Sequence, residues 1–364
     1  MISNISTLVR PNILAMHGYS SARDEYQGKD GIFLDANESP YGLLNRYPDP
    51  YQRILKQKLS EIKSVATENI FVGNGSDEAI DLLFRIFCRP TIDKVISFTP
   101  GYGMYQVSAN IQDVEYIAIP LTKSFQINTK LIEPYLSDTR VKIIFVCSPN
   151  NPTGNILDTH DIEWLLQNFN GIVVIDEAYI DFADTPSWIS KINQHKNLVI
   201  LQTLSKAWGL AAARVGMAFT NPDIIALLNK VKPPYNVSSI NQKEAIKALE
   251  HKKETDIRIN AIKQERSRLQ YEISKIDSVK KIYPSQTNFL LIEIEHPNAV
   301  YERLISQKII VRNQSKKIKN GLRITIGSPK ENNRLLNALI AINDEKYSLT
   351  EYGLKSSPDS INRH

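Results

Sequence analysis

An α/β fold is what the sequence predicts: a large domain with a mostly parallel sheet covered by helices, then a smaller α/β domain. Three observations carry this. Through residues 94–220 short apolar runs alternate with helix-period stretches, the pattern of a parallel sheet layered between helices. Pro233-Pro-Tyr-Asn-Val237 then interrupts the alternation. Beyond it, a charged helical stretch leads into a second, shorter series of strands and helices. With 364 residues and 42% hydrophobic content, the chain is long enough for two cores.

Asn69 to Pro90 contains a short strand, a tight turn and an amphipathic helix. Ser76 and Asp77 mark the helix start, Pro90 its end, and Ile80, Leu83, Ile86 and Phe87 keep helical spacing. Strands are expected at Lys94–Phe98, Glu115–Ile119, Val141–Cys147, Gly171–Ile175, Asn197–Gln202 and Val215–Thr220, with an amphipathic helix over Asp158–Asn168. Asn241–Ile276 has the composition of one long helix, with Ile246, Leu249, Ile262, Leu269 and Ile273 as its core stripe and a solvated charged face. Three further strands are expected at Phe289–Ile294, Lys308–Val311 and Leu322–Ile326, interleaved with helices at Ala299–Ile305 and Asn332–Ile342.

The chemistry is carried by residues at and just beyond the strand ends. Lys206 sits in Thr203-Leu-Ser-Lys-Ala-Trp-Gly, directly after the apolar run Leu198-Val-Ile-Leu-Gln. A lone lysine at such a turn is usually solvated. A buried one loses its proton more easily, and the neutral amine can hold an aldehyde as a Schiff base. Arg214 adds a permanent cation suited to a phosphate. An aldehyde and a phosphate on one cofactor point to pyridoxal phosphate. Such a cofactor needs a negative charge opposite its pyridine nitrogen. Asp176 ends the apolar run Ile172-Val-Val-Ile, where open α/β sheets place their ligands, and an unpaired charge there is costly. Tyr179, three residues on, can donate to the cofactor's phenolate oxygen. Asn151, in the turn-rich Pro149-Asn-Asn-Pro-Thr-Gly-Asn155, is a second donor for that oxygen. The backbone N–H groups of Gly75, Ser76 and Asp77 face an anion at the helix start. Gly73-x-Gly75 is not a dinucleotide fingerprint, because position 78 is Glu.

Taken together, Gly73-Asn-Gly-Ser-Asp-Glu78, Ser148-Pro-Asn-Asn-Pro-Thr-Gly154, Asp176-Glu-Ala-Tyr179 and Thr203-Leu-Ser-Lys206 with Arg214 resemble the motif set of the PLP-dependent transferase fold type I aminotransferases, in that family's order. More narrowly, Leu34-Asp-Ala-Asn-Glu-Ser-Pro40, Asn45-Arg-Tyr-Pro-Asp-Pro50, Thr99-Pro-Gly-Tyr-Gly-Met-Tyr105, Ile310-Val-Arg-Asn313 and Gly321-Leu-Arg-Ile-Thr-Ile-Gly327 are similar to the histidinol-phosphate aminotransferases of histidine biosynthesis. The resemblance implies Lys206 as the Schiff-base lysine and Asp176 as the partner of the pyridinium. Asn151 and Tyr179 would contact the phenolate oxygen, and Tyr102 would stack on the ring. Thr203 belongs to the same cofactor set. Ser205, Arg214 and the amides of Gly75, Ser76 and Asp77 would hold the phosphate. Tyr47 would reach the phosphate of a neighbouring subunit's cofactor, implying a homodimer with shared sites. Tyr19, Asn37, Arg312 and Arg323 would contact substrate, Arg323 taking the donor's carboxylate and Tyr19 and Arg312 the substrate phosphate. The implied division is an N-terminal arm over 1–45 joining the small domain, a large PLP-binding domain over 46–232, a small domain over 233–346 and a polar tail over 347–364. Ala211-Ala-Ala213 departs from the glycine and bulkier residue often found before the phosphate-binding arginine, so local packing there must differ.

Composition narrows the alternatives. The net charge of +5 is spread along the chain, too diffuse to argue for nucleic acid but helpful in attracting phosphorylated substrates. The two cysteines, Cys88 and Cys147, lie in apolar runs as core thiols, and the six histidines lack metal-type spacing. No signal peptide is expected from Met1-Ile-Ser-Asn-Ile-Ser-Thr7, nor a run long enough to cross a bilayer, so a cytoplasmic enzyme is expected. The expected reaction moves an amino group between glutamate and imidazole-acetol phosphate. An aromatic aminotransferase, a threonine-phosphate decarboxylase and a non-catalytic regulator on the same fold remain open.

Overall fold

The computed structural model describes residues 4–19 and 31–351. The polar tail expected over 347–364 lies outside the described residues, apart from backbone up to Glu351. The chain divides into two compact units, Met1–Ile259 and Asn260–His364.

The first unit is built on a seven-stranded sheet: β1 (Ile70–Asn74), β2 (Lys94–Thr99), β3 (Glu115–Pro120), β4 (Val141–Cys147), β5 (Ile172–Asp176), β6 (Leu198–Thr203) and β7 (Val215–Phe219). Its order is β1-β7-β6-β5-β4-β2-β3, with β7 antiparallel to both neighbours and the other pairs parallel. All residues of β5 and β6 are buried. That is why these strands are continuous apolar runs rather than alternating ones. The helix Ser76–Phe87 lays Ile80, Leu83, Ile86 and Phe87 against the sheet, each at most 1% exposed. Phe84 of the same helix stacks on Phe145 of β4. Cys88 closes this core as a buried free thiol.

Three expectations change here. An N-terminal arm joining the smaller domain is expected from the resemblance, yet residues 5–15 pack on the first unit. Ile5, Val9 and Ile13 enter its main core, and the Arg10 N–H donates to the Ile86 carbonyl at 2.9 Å. Their spacing of four supplies one apolar edge, buried in one core with Ile80, Leu83 and Ile86 of the helix Ser76–Phe87. The break expected at Pro233 falls inside the first unit. The helix Ser239–Glu250 packs on the helix Arg53–Lys63, and Gln242 donates to the Asp49 carbonyl at 3.4 Å. The single long helix expected over 241–276 is two, Ser239–Glu250 and Lys252–Ile273, separated at His251. The division between units lies within the second of these.

The second unit has a four-stranded antiparallel sheet in the order β10-β11-β9-β8, formed by β8 (Val279–Ile282), β9 (Phe289–Ile294), β10 (Arg312–Asn313) and β11 (Gly321–Thr325). The helices Pro297–Ser306 and Pro329–Glu351 accompany it. Leu290, Ile292, Leu304, Leu322, Ile324 and Leu339 are among its core residues. The strand expected at Lys308–Val311 is displaced to Arg312–Asn313. Lys308 takes a left-handed φ of 59° in a turn just after a helix end, and Ile310 is exposed, so the apolar run that follows is irregular backbone rather than a strand. The last helix runs past Ile342 because no glycine or proline follows before Gly353.

Candidate active site

The parallel strands of the first unit end together, and Asp176 is the last residue of β5. It lies in register with Cys147 of β4 and Leu201 of β6. The side chain is buried, yet neither oxygen lacks a donor. The Tyr105 hydroxyl donates to Oδ2 at 2.8 Å, and the Ala178 N–H donates to Oδ1 at 3.1 Å. Burial pushes the carboxyl up to about 6; these two hydrogen bonds pull the other way, Asp77 adds to the rise and Lys206 opposes it. A carboxylate held this way is well placed to be ionised beside a cation and less so without one. Tyr105 is the residue sequence reasoning missed. It lies between the ring of Phe145, stacked at 4.6 Å, and the edge of Tyr102 at 5.4 Å. The available signal was Tyr102-Gly-Met-Tyr105, two tyrosines three residues apart at a helix start. Glu177, next along the chain, turns the other way. It accepts from the Ser187 hydroxyl, the Trp188 N–H and the Gln202 amide, and burial pushes it up to about 7.

A cradle opens beside this floor. Gly75 has φ +78°, which aims the chain into the helix Ser76–Phe87. A Cβ added at Gly75 would lie 2.6 Å from Arg214 Nη2. At Gly216 of β7 it would lie 2.1 Å from the Ser76 N–H nitrogen. Two glycines thus let an arginine and a helix start converge on one small space, as an anion site requires. Arg214 follows the short turn Ala211–Ala213 with φ +51° and reaches Asp77 Oδ2 at 3.5 Å. Tyr102 donates its hydroxyl to Asp77 Oδ1 at 3.0 Å, and burial first, then Asp77, keep it protonated.

Lys206 stands in the turn after β6. There Thr203 Oγ1 donates to the Val215 carbonyl at 3.3 Å, and the Ser205 N–H donates to Thr203 Oγ1 at 3.1 Å. Lys206 Nζ lies 5.7 Å from the centre of the Tyr179 ring. Asn151 donates to the Tyr179 hydroxyl at 3.4 Å. One expectation fails: Lys206 is exposed, not buried.

Gly75, Ser76, Asp77, Tyr102, Asn151, Asp176, Tyr179, Thr203, Ser205, Lys206 and Arg214 are therefore gathered around the strand ends of one unit. The remaining predicted residues are placed differently. Tyr47 is half exposed and stacks on Tyr235 at 4.4 Å. Asn37 is exposed with φ +54°, and Tyr19 is 68% exposed. Arg312 and Arg323 belong to the second unit, directly opposite each other across β10 and β11, with Arg323 5.2 Å from the centre of the Phe289 ring.

A strand-end lysine, a buried carboxylate and a glycine–arginine anion cradle in one place narrow the field to a phosphorylated cofactor with an aldehyde. Comparison with known proteins decides the family. Residues 35–339 match the model of aminotransferase class I and II. A histidinol-phosphate aminotransferase from Cytophaga hutchinsonii is 47% identical over 93% of this chain and 99% of its own. One from Parabacteroides distasonis is equally similar, 47% over 93% and 99%. The chain belongs to the histidinol-phosphate aminotransferase family. Among solved structures, the family member from Clostridium acetobutylicum has a TM-score of 0.75 at 25% identity, covering 83% of this chain and 92% of that one. The family member from Sinorhizobium meliloti, solved in complex with pyridoxal-5'-phosphate, has a TM-score of 0.76 at 22% identity, covering 85% and 90%. The latter likeness shows the fold, which is that of the PLP-dependent aminotransferases, as the sequence motifs imply.

Proposed function

We propose that the chain transfers an amino group between L-glutamate and imidazole-acetol phosphate, giving 2-oxoglutarate and histidinol phosphate in histidine biosynthesis, with pyridoxal 5'-phosphate as cofactor. The observation that carries the reading is the joining of Lys206, Asp176 and the Gly75–Arg214 cradle at one set of strand ends, in a chain of this family. Bound pyridoxal phosphate supplies an aldehyde that captures an amine and an electron-poor ring that stabilises charge at Cα.

The residues divide the work. Arg214, Ser205 and the amides of Gly75, Ser76 and Asp77 hold the phosphate. Thr203 fixes the turn that carries Ser205 and Lys206. Asn151 and Tyr179 donate to the phenolate oxygen, and Tyr102 covers the ring. Asp176 keeps a proton on the ring nitrogen. Lys206 would hold the cofactor's aldehyde carbon and would serve as base and then acid for the proton at the substrate's Cα.

For substrate, Arg323 is assigned the glutamate carboxylate, Arg312 and Tyr19 the distal phosphate, and Asn37 a polar contact. Directly opposite positions on an antiparallel pair share one face, so two cations there repel unless an anion lies between them. A homodimer with Tyr47 completing the neighbour's site is part of the proposal. Ile32, Leu34, Tyr41 and Leu43 are each at least 85% exposed, an apolar strip that a second copy would cover. Within each subunit we assign 46–232 to cofactor binding and the unit Asn260–His364 to the smaller domain. Among the described residues no helix is long and apolar enough to cross a membrane. We place the reaction in the cytoplasm, where glutamate and phosphorylated intermediates are found.

A half-reaction panel tests the assignment. Cofactor-loaded enzyme is mixed with histidinol phosphate, phenylalanine, tyrosine or threonine phosphate, and loss of the cofactor's visible absorbance is followed. Histidinol phosphate should react fastest, and Arg312→Ala should slow it while largely sparing small monocarboxylic amino acids. Equal losses for phosphorylated and unphosphorylated substrates would favour an aromatic aminotransferase.

A further inference from the structure

The floor of the site contains a group with no assigned task. Tyr105 is fully buried on the helix Met104–Ile111, and its ring is fixed by Phe145 on one side and Tyr102 on the other. Its hydroxyl points at Asp176 Oδ2, 2.8 Å away, while the opposite oxygen is taken by the Ala178 N–H. The remaining titratable groups that act on Asp176 or Tyr105 are Asp77, Lys206 and Cys147. Of these, Cys147 is a buried thiol that lies 3.6 Å from the Pro149 carbonyl and also within hydrogen-bond reach of the Tyr105 hydroxyl. Among the described residues, Tyr105 is thus the one side chain hydrogen-bonded to the Asp176 carboxyl.

A buried carboxylate with too few donors takes up a proton rather than stay charged. A neutral hydroxyl donor opposes this without cancelling the charge, as an arginine or lysine would. Burial also pushes the Tyr105 phenol well above its ordinary value, so it remains a donor throughout the working range. We propose that Tyr105 is a positioning residue that holds Asp176 in one orientation and in its ionised form, and thereby keeps the proton on the cofactor's ring nitrogen. This rests on the reading of Asp176 as the ring-nitrogen partner. Without the hydroxyl, Asp176 becomes the stronger base. The ring-nitrogen proton then moves to a carboxyl oxygen, leaving a neutral acid beside a neutral ring with charge and protons balanced.

The test uses holoenzyme reconstituted with cofactor labelled with 15N in the ring. Tyr105→Phe keeps the ring stack and removes the donor. Its 15N resonance should move toward that of an unprotonated pyridine. Single-turnover Cα deprotonation should slow by about 10- to 100-fold, the scale of one hydrogen bond to a charged group. In the Asp176→Asn background the same substitution should change that rate less than about 2-fold, because two residues acting through one group do not add. The apoprotein's Tm should be retained in Tyr105→Phe and fall in Tyr105→Leu, which also removes the ring. A wild-type 15N shift and rate in Tyr105→Phe would overturn the proposal. So would undiminished slowing in the Asp176→Asn background, or a Tyr105→Phe chain that fails to fold. If Asp176→Asn alone leaves the ring nitrogen protonated, the reading of Asp176 fails and the task assigned to Tyr105 fails with it.

Discussion

The two ends of the site are built by opposite means. At the strand-end floor, Asp176, Tyr105, Phe145 and Cys147 are buried, and side chains meet side chains in stacked rings and short hydrogen bonds. At the phosphate end, Gly75, Ser76, Arg214 and Gly216 form a shallow cradle of backbone and one arginine whose side chain is 46% exposed. Burial disfavours the charged form of Asp176, and the hydrogen bonds from Tyr105 and Ala178 are what oppose it. Openness suits a group that must enter carrying a double negative charge and be recognised by many N–H donors at once. Lys206, exposed and 5.7 Å from the Tyr179 ring, belongs to the open half although its work is done over the closed one.

That contrast can be broken most severely at Lys206. Lys206→Ala should leave the cradle intact and still bind cofactor, while single-turnover amino transfer falls by about 10²–10⁴-fold, the usual contribution of a positioned acid–base group. Borohydride reduction of the wild-type holoenzyme followed by peptide mapping should label Lys206. A label on another lysine would show the acid–base group to lie elsewhere.

The closed end predicts a pH dependence of the apoprotein. Burial pushes the folded Asp176 carboxyl up to about 6, above its ordinary value of 3.8. A raised folded-state value means that the protonated acid favours folding. The benefit is complete below about pH 4 and is lost as pH rises through about 6. Asp176→Asn has no such charge to bury. Its apoprotein should therefore gain on the wild type with increasing pH, by up to about 3 kcal/mol above pH 7, at about 1.4 kcal/mol for each tenfold change in acid strength. Denaturant melts at pH 4.5 and 7.5 measure this. A gap independent of pH would mean that the carboxylate is solvated.

Smaller effects are expected at the open end. Gly216→Ala would put a Cβ against the backbone of Ser76, which cannot step aside, and should cost about 1–3 kcal/mol of stability along with cofactor affinity. Gly209→Ala is its comparison: φ is +70° but nothing lies within 4 Å, so only the left-handed backbone cost of about 1–2 kcal/mol applies and affinity should be spared. Arg214→Ala should weaken the cofactor by roughly 10-fold, one charge-assisted contact at a wet site, and fluorescence titration would detect it.

Much of this was legible in the sequence, for a definite reason. Val141–Cys147 and Phe289–Ile294 are correct to the residue because buried strands are uninterrupted apolar runs. Asp176 stood out as a charge at the end of one. Tyr105 did not, because its meaning comes from β4 lying next to β5 and from a helix packed over both, relations that no local pattern encodes. The strand at Arg312–Asn313 was misplaced because Ile309, Ile310 and Val311 have strand composition in irregular backbone after a turn. Val279–Ile282 passed unnoticed with two lysines in its four residues. The exposure of Lys206 is likewise decided by where a turn points, not by which residues form it.

The two cysteines have a practical consequence. Cys88 and Cys147 are both buried, and burial pushes both thiols well above their ordinary range, so neither offers a thiolate to solvent in the folded protein. They are the chain's whole complement of sulfhydryls. A cysteine introduced on the surface would accordingly be the single attachment point for a maleimide dye or spin label. Paired probes could then report distances during turnover without first stripping the native residues.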